Sequence, residues 1–466
     1  MFDWEEENDE RDNFLNDDIQ RFESQLASNS IGFFDSDRLE GIIDHYLING
    51  NYTKAELAAD VGMKQYPFNF YFTIRCAQAM SGSGKLKEAL ELLDNIEKLE
   101  ENLLELYLTK ASIFRQLRDS KRAVNFFRKA LELAENDEKD EIYLDLALEL
   151  ENLKDFKGAI EVLEEAMRFN PKNEGALYEL AFCLDQQGNA KKAIEVYKAY
   201  LEENPYSFTA WYNLGNTFSK EGSFSDAVTA YAYCVAINDR FSPAYFNMGN
   251  AQLSLEQYKD SIDSFIKCIE IDGEDPLSYC YLGESYEQLN QLTLAWEYYQ
   301  KALSLAPDLA EAWLGLGIVK DLEGKPKESL SYIERALELD PNNSSYYHVY
   351  AGALENAEMT EEAEESYLAC LILEPTNEDC YFDYTDFLME FKLGELKRFV
   401  EGYIEKYNFL FSYLPLIYLL WNYGDQTAAK KMLSDIYNAD PNQARELFIR
   451  YPELQKHQEL VNLTLE

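Results

Sequence analysis

Proton transfer, nucleophilic attack and metal binding need histidines, thiols or carboxylates held at short, regular spacings. The chain offers His45, His348 and His457, far apart in sequence, and none stands beside a Cys or carboxylate pattern with metal-ligand spacing. Its seven cysteines are odd in number and include no C-x-x-C pair. They form no disulfide framework, and a reducing cytoplasm suits them. The stretch SGSGKLKEAL, Ser81 to Leu90, has glycines and a lysine in the manner of a phosphate loop. It lacks the G-x-x-x-x-G-K-S/T spacing and no strand precedes it, so it reads as a turn between helices. No catalytic residue, metal site or cofactor is expected, and the chain reads as a protein that is not an enzyme.

The side chains left to recognise a ligand are amides and aromatics. AWYNLGNTF, Ala210 to Phe218, returns 34 residues later as AYFNMGNAQ, Ala244 to Gln252. Asn213 and Asn216 are three apart, as are Asn247 and Asn250, which puts each pair on one face of a helix. An amide carries an acceptor and two donors, so it can pair with the N–H and C=O of any peptide backbone. Each such bond nets roughly 1 kcal/mol, enough to orient a ligand but not to hold it tightly.

These amides belong to a longer pattern. With Phe208 as position 1 of a 34-residue unit, position 8 is Gly215, 20 is Ala227 and 24 is Tyr231, and the register recurs forwards to Ser344 and backwards to Ser36. A two-residue insertion precedes the unit that starts at Asp140. Ala or Ser fills position 20 in eleven of twelve units, and Pro recurs at position 32, as at Pro171, Pro205 and Pro307. Small residues at positions 8, 20 and 27 let antiparallel helices approach closely, so Cys234, Cys268 and Cys370 at position 27 read as small core residues. Glycines between the helices, from Gly50 to Gly424, suit a left-handed helix end.

The pattern resembles the tetratricopeptide repeat family over about Ser36 to Gln443. The resemblance implies an all-α fold, an α-solenoid with a right-handed superhelix of about twelve helix–turn–helix repeats. The expected organisation is an acidic N-terminal segment with a capping helix (1–35), ten regular repeats (36–377), two divergent ones (378–443) and a C-terminal capping helix (444–466). The unit beginning at Glu378 departs from the pattern, with Lys397 where a small residue belongs. In the family, positions 2, 5, 6, 9, 12 and 13 line a concave groove that receives a peptide. The resemblance therefore implies a binding strip of Tyr178, Tyr212, Asn213, Asn216, Phe246, Asn247, Asn250, Tyr281 and Glu284, with the aromatics supplying burial; the alternative for Asn216 and Asn250 is structural, a hydrogen bond to a neighbouring helix. The family's chaperone-binding members clamp a terminal carboxylate with cations; the matching Tyr212, Leu277 and Tyr281 argue against a clamp in these units.

The formal net charge of −44 disfavours nucleic acid and anionic membranes and favours basic partners. Residues 1–35 carry eleven acids against two basics, and Leu15, Ile19, Phe22 and Leu26 recur on one helical face. Such a segment either caps the first repeat or detaches to bind, with DWEEENDERD as its acidic flank. Residues 391–466, with ten acids and nine basics, are nearly neutral and offer a surface for self-association or docking. The start, MFDWEEENDE, shows no secretory signal. The uncharged run Tyr407 to Gly424 reads as a buried helix pair rather than a membrane span.

The function expected is a cytoplasmic, non-enzymatic scaffold or adaptor that binds a protein or peptide segment in its groove. One alternative is a co-chaperone or regulator that binds basic segments through Glu138, Asp140, Glu141, Glu361, Glu362, Glu364 and Glu365. Another is a subunit of a larger assembly, including one with a membrane partner, docked through the C-terminal repeats.

Overall fold

The computed structural model describes residues 2–28 and 31–464, with side chains described from residue 15 onward. The acidic flank before Leu15 therefore lies outside the described side chains. All regular structure among the described residues is helical. Two compact units, residues 1–237 and 238–466, divide the chain.

The first unit opens with α1 (Phe2–Ala27) and continues as hairpins. These are α2 (Ser36–Ile48) with α3 (Tyr52–Gln65), α4 (Phe70–Gly82) with α5 (Leu86–Glu97), and α6 (Leu104–Gln116) with α7 (Ser120–Leu133). Then come α8 (Lys139–Asn152) with α9 (Phe156–Phe169), α10 (Glu174–Gln186) with α11 (Ala190–Glu203), and α12 (Phe208–Lys220) with α13 (Phe224–Ile237). Even-numbered helices touch one another, α2 on α4, α4 on α6 and α8 on α10, and so form a wall of their own. Ile19 and Phe22 of α1 are buried in one cluster with Phe34 and Tyr46. Asp18 pairs with Arg38 at 3.0 Å, and Glu23 accepts from Tyr46 at 2.9 Å.

The second unit repeats the scheme with α14 (Ser242–Ser254) and α15 (Tyr258–Asp272), α16 (Pro276–Gln288) and α17 (Leu292–Leu305), and α18 (Ala310–Leu322) and α19 (Pro326–Leu339). It goes on with α20 (Ser344–Asn356) and α21 (Thr360–Leu373), α22 (Glu378–Phe391) and α23 (Leu393–Tyr407), and α24 (Leu414–Tyr423) and α25 (Gln426–Ala439). The chain ends in α26 (Pro441–Arg450) and the one-turn α27 (Gln458–Val461), whose Leu447, Leu454 and Leu460 neighbourhood is buried in the terminal core. Helix starts fall on the 34-residue register, many under an Asn, Asp or Ser cap such as Asn173, Ser207 and Asn377. The uncharged run is split: α23 ends at Tyr407, Asn408 turns left-handed at φ 55°, and α24 begins at Leu414. Among the described residues no helix is long and apolar enough to cross a membrane.

Two expectations need correcting. Gly424 does not take the left-handed conformation; its φ is −146°. Lys397 does not fill the small-residue slot of its repeat, since its side chain is 60% exposed and pairs with Glu401. The turn between α22 and α23 is shorter, so α23 starts one register position early. Leu396, Val400 and Tyr403 then occupy the buried places that Ala363, Tyr367 and Cys370 fill in α21.

Candidate functional site

Four of the strip residues lie in the first unit. The Asn216 amide accepts from the Tyr231 hydroxyl at 2.8 Å, joining α12 to α13. The half-buried Asn213 amide has no hydrogen-bond partner among the described residues; only its backbone carbonyl is engaged, by Thr217. The Tyr212 ring tilts against Tyr231, with centroids 6.0 Å apart. Tyr178 donates to Glu174 at 3.1 Å, where Ser207, Thr209 and Tyr200 also converge. Burial would raise the Glu174 carboxyl, but these four donors outweigh it and hold it below its ordinary range.

The other five residues lie in the second unit. Phe246 meets Phe265 and Tyr281 edge-on at 5.8 and 5.6 Å, and Tyr281 stacks on Phe265 at 5.7 Å. This three-ring cluster belongs partly to the core. Asn247 is engaged with a neighbour, whereas the half-buried Asn250 amide has no hydrogen-bond partner among the described residues. Burial raises the Glu284 carboxyl above its usual range. One turn on, Glu287 is pushed up to about 7 by burial, even though Tyr299 donates to it at 2.8 Å. Of the nine, Asn213 and Asn250 have amides without a hydrogen-bond partner among the described residues, whereas Asn216, Asn247 and Tyr178 are engaged by neighbouring groups.

A cavity of about 1000 Å³ in the first unit was not singled out by the sequence. It lies along α2, α4, α6 and α8. Arg75 donates to Gln78 at 2.8 Å and lies 3.2 Å from Asp44; Gln78 donates to Thr109 at 3.0 Å, carrying the network from α4 to α6. Gln116 donates to Ser81 at 2.9 Å, and Arg115 reaches α8 through Asp145 at 2.7 Å and Glu149 at 3.0 Å. Leu47, Leu108 and Ile48, the last 84% exposed, give it an apolar side. Arg75, Thr109 and Asp145 sit at position 6 and Gln78 and Ser112 at position 9, the positions that hold the asparagines farther along. That register was the available signal. It was missed because the residue types here vary from unit to unit while the asparagines repeat.

All seven cysteines are buried, and among the described residues no three His, Cys, Asp or Glu side chains are grouped to hold a metal. Burial pushes the Cys76 and Cys234 thiols up to about 12, which keeps them protonated.

Family profiles described as tetratricopeptide repeat match residues 153–215, residues 104–137 and 242–275, and residues 282–344. Among curated proteins, the human protein O-mannosyl-transferase TMTC1 is 40% identical over 52 residues, 11% of this chain; the match spans 6% of that protein's length. Among solved structures, a tetratricopeptide repeat protein from Parabacteroides merdae is 17% identical with a TM-score of 0.46, over 54% of this chain and 98% of that one. The APC/C hetero-tetramer Cut9-Hcn1 is 14% identical with a TM-score of 0.41, over 89% of this chain and 90% of that one. YrrB, described as having an unusual peptide-binding site, is 25% identical with a TM-score of 0.31, over 41% of this chain and 97% of that one. With helical hairpins in phase along the chain and matching profiles at four places in it, this protein belongs to the tetratricopeptide repeat family.

Proposed function

We propose that this chain is a non-catalytic scaffold that holds an extended segment of a partner protein against its even-numbered helices, with the cavity along α2, α4, α6 and α8 as the principal seat. The observation that carries this reading is a 1000 Å³ cavity floored by a hydrogen-bonding ladder of Arg75, Gln78, Thr109, Gln116 and Ser81. Its volume lies at the top of the range typical of ligand sites. Carboxylates of Asp44, Glu105, Asp137, Glu138, Glu141 and Asp145 outnumber the guanidiniums of Arg75 and Arg115 on its lining, so a segment carrying Lys or Arg is favoured. The Asn213 amide, which has no hydrogen-bond partner among the described residues, supports a second contact zone on α12.

Ser112 is exposed and lines the cavity, so Ser112→Trp fills it without entering the core. Affinity purification should show partners held by the wild type and lost by Ser112→Trp, with melting temperatures matched within about 2 °C, a spread corresponding to about 1–2 kcal/mol for a chain of this length. Asn213→Ala should weaken capture without abolishing it. Partners retained in full by folded Ser112→Trp would remove the cavity as the seat.

A further inference from the structure

The register slip in α23 has an effect on the other face of the second unit. In α17, α19 and α21 the three buried positions are filled small, large, small: Ala295, Tyr299, Ala302; Ser329, Ile333, Ala336; Ala363, Tyr367, Cys370. In α23 they are Leu396, Val400 and Tyr403, bulky at both ends. Bulk at these places holds a helix away from its partner, and α22 and α23 touch over a shorter stretch than the regular pairs. A cleft of about 440 Å³ opens beside them, between α21 and α23.

Leu388 of α22 lies at its base, Leu368 and Ile372 line it from α21, and Phe399 and Gly402 line it from α23. Ile372 is 71% exposed, unusual for a side chain of its kind. A Cβ added at Gly402 would meet nothing within 4 Å, so this stretch of wall is open. Arg398 and Lys406 also line the cleft, eight residues apart on α23, about 12 Å along a helix. Neither makes an ion pair among the described residues, Lys406 lying over the Tyr407 ring at 4.6 Å, and the two outnumber Glu395, the one acid that α23 adds to the lining. On the opposite wall, Glu364 is occupied by Lys392 and Tyr384.

We propose that this cleft is a docking site for an amphipathic helix of a partner protein, whose apolar stripe is flanked on one side by acidic residues spaced two turns apart. An apolar trough between two helices, with cations about 12 Å apart along one wall, accepts residues i, i+3/i+4 and i+7 of a third helix. The unpaired cations on the α23 wall set its orientation and select an acidic flank. The chain's own acidic helix α1 is not the occupant, since Ile19 and Phe22 are buried against the first hairpin. The site stands on observations separate from the cavity in the first unit.

Two synthetic 14-residue helical peptides share a leucine stripe and carry either Glu or Lys along one flank. Fluorescence anisotropy on the full chain carrying Ser112→Trp, which fills the acid-lined cavity of the first unit, should show the Glu peptide binding roughly tenfold tighter, the equivalent of two surface ion pairs. The net charge of −44 favours the opposite order for non-specific binding, so the ranking is diagnostic. In that background Gly402→Trp should abolish binding of the Glu peptide, and Arg398→Glu/Lys406→Glu should reverse the preference, each variant with a native melting transition. Equal affinities or a Lys-peptide preference in the Ser112→Trp chain, or full binding of the Glu peptide after Gly402→Trp, would overturn the proposal. Sedimentation of the wild type as a dimer, with Gly402→Trp monomeric, would overturn it in favour of a second copy as occupant.

Discussion

The Tyr231 hydroxyl, donating to Asn216 while its ring lies under Gly215, shows how closely recognition and packing residues are interleaved on one helix. A Cβ on Gly215 would stand 2.5 Å from Tyr231 Cε1, nearer than van der Waals contact allows. Gly215→Ala should therefore lower stability by about 1–3 kcal/mol in denaturant unfolding, as overpacking does. Glu287 gives a pH signature. Its carboxyl, 7% exposed and raised to about 7 from an ordinary 4.5, binds a proton in the folded chain that it lacks in the unfolded chain between those values. Its contribution to stability therefore grows as pH falls through that window and is least favourable above about 7. Glu287→Gln should raise the melting temperature at pH 8 and match the wild type near pH 4.5; parallel curves would refute this. From sequence, Asn213 and Asn216 are indistinguishable: what separates them is a tyrosine hydroxyl 15 residues from Asn216 that only the hairpin geometry brings near.

At the scale of the hairpin, the turn was legible and its chemistry only partly so. The position after each of the first ten inner helices is left-handed: glycine at 50, 84, 188, 222 and 324, but Arg118, Lys154, Glu256, Asn290 and Glu358 in the intervening units. The glycines announced a conformation that the five other residues share under protest from their Cβ atoms. Glu256→Gly should raise stability by about 0.5–1 kcal/mol and Gly222→Ala lower it by about 1 kcal/mol, read from chemical denaturation. The unit from Glu378 was legible as aberrant, because Lys397 breaks the small-residue rule. Its remedy, a one-residue slip that leaves Lys397 in solvent, was not, since a shift of one position changes no composition and appears only when the buried side chains are seen.

For the molecule as a whole, the 34-residue period dictated the fold, because each hairpin leaves an apolar face that only its neighbour can cover. The division at residue 237 carries no mark in composition or spacing. The cavity along α2, α4, α6 and α8 was equally hidden, since it depends on side-chain lengths at register positions rather than on a repeated word. The central claim is that these inner helices hold the partner. A photo-crosslinking residue placed at Ser112, inside the cavity, and in a separate chain at the exposed Arg128 of α7, tests it most directly. The account expects a partner adduct from position 112 and none from position 128; adducts from 128 alone would contradict it.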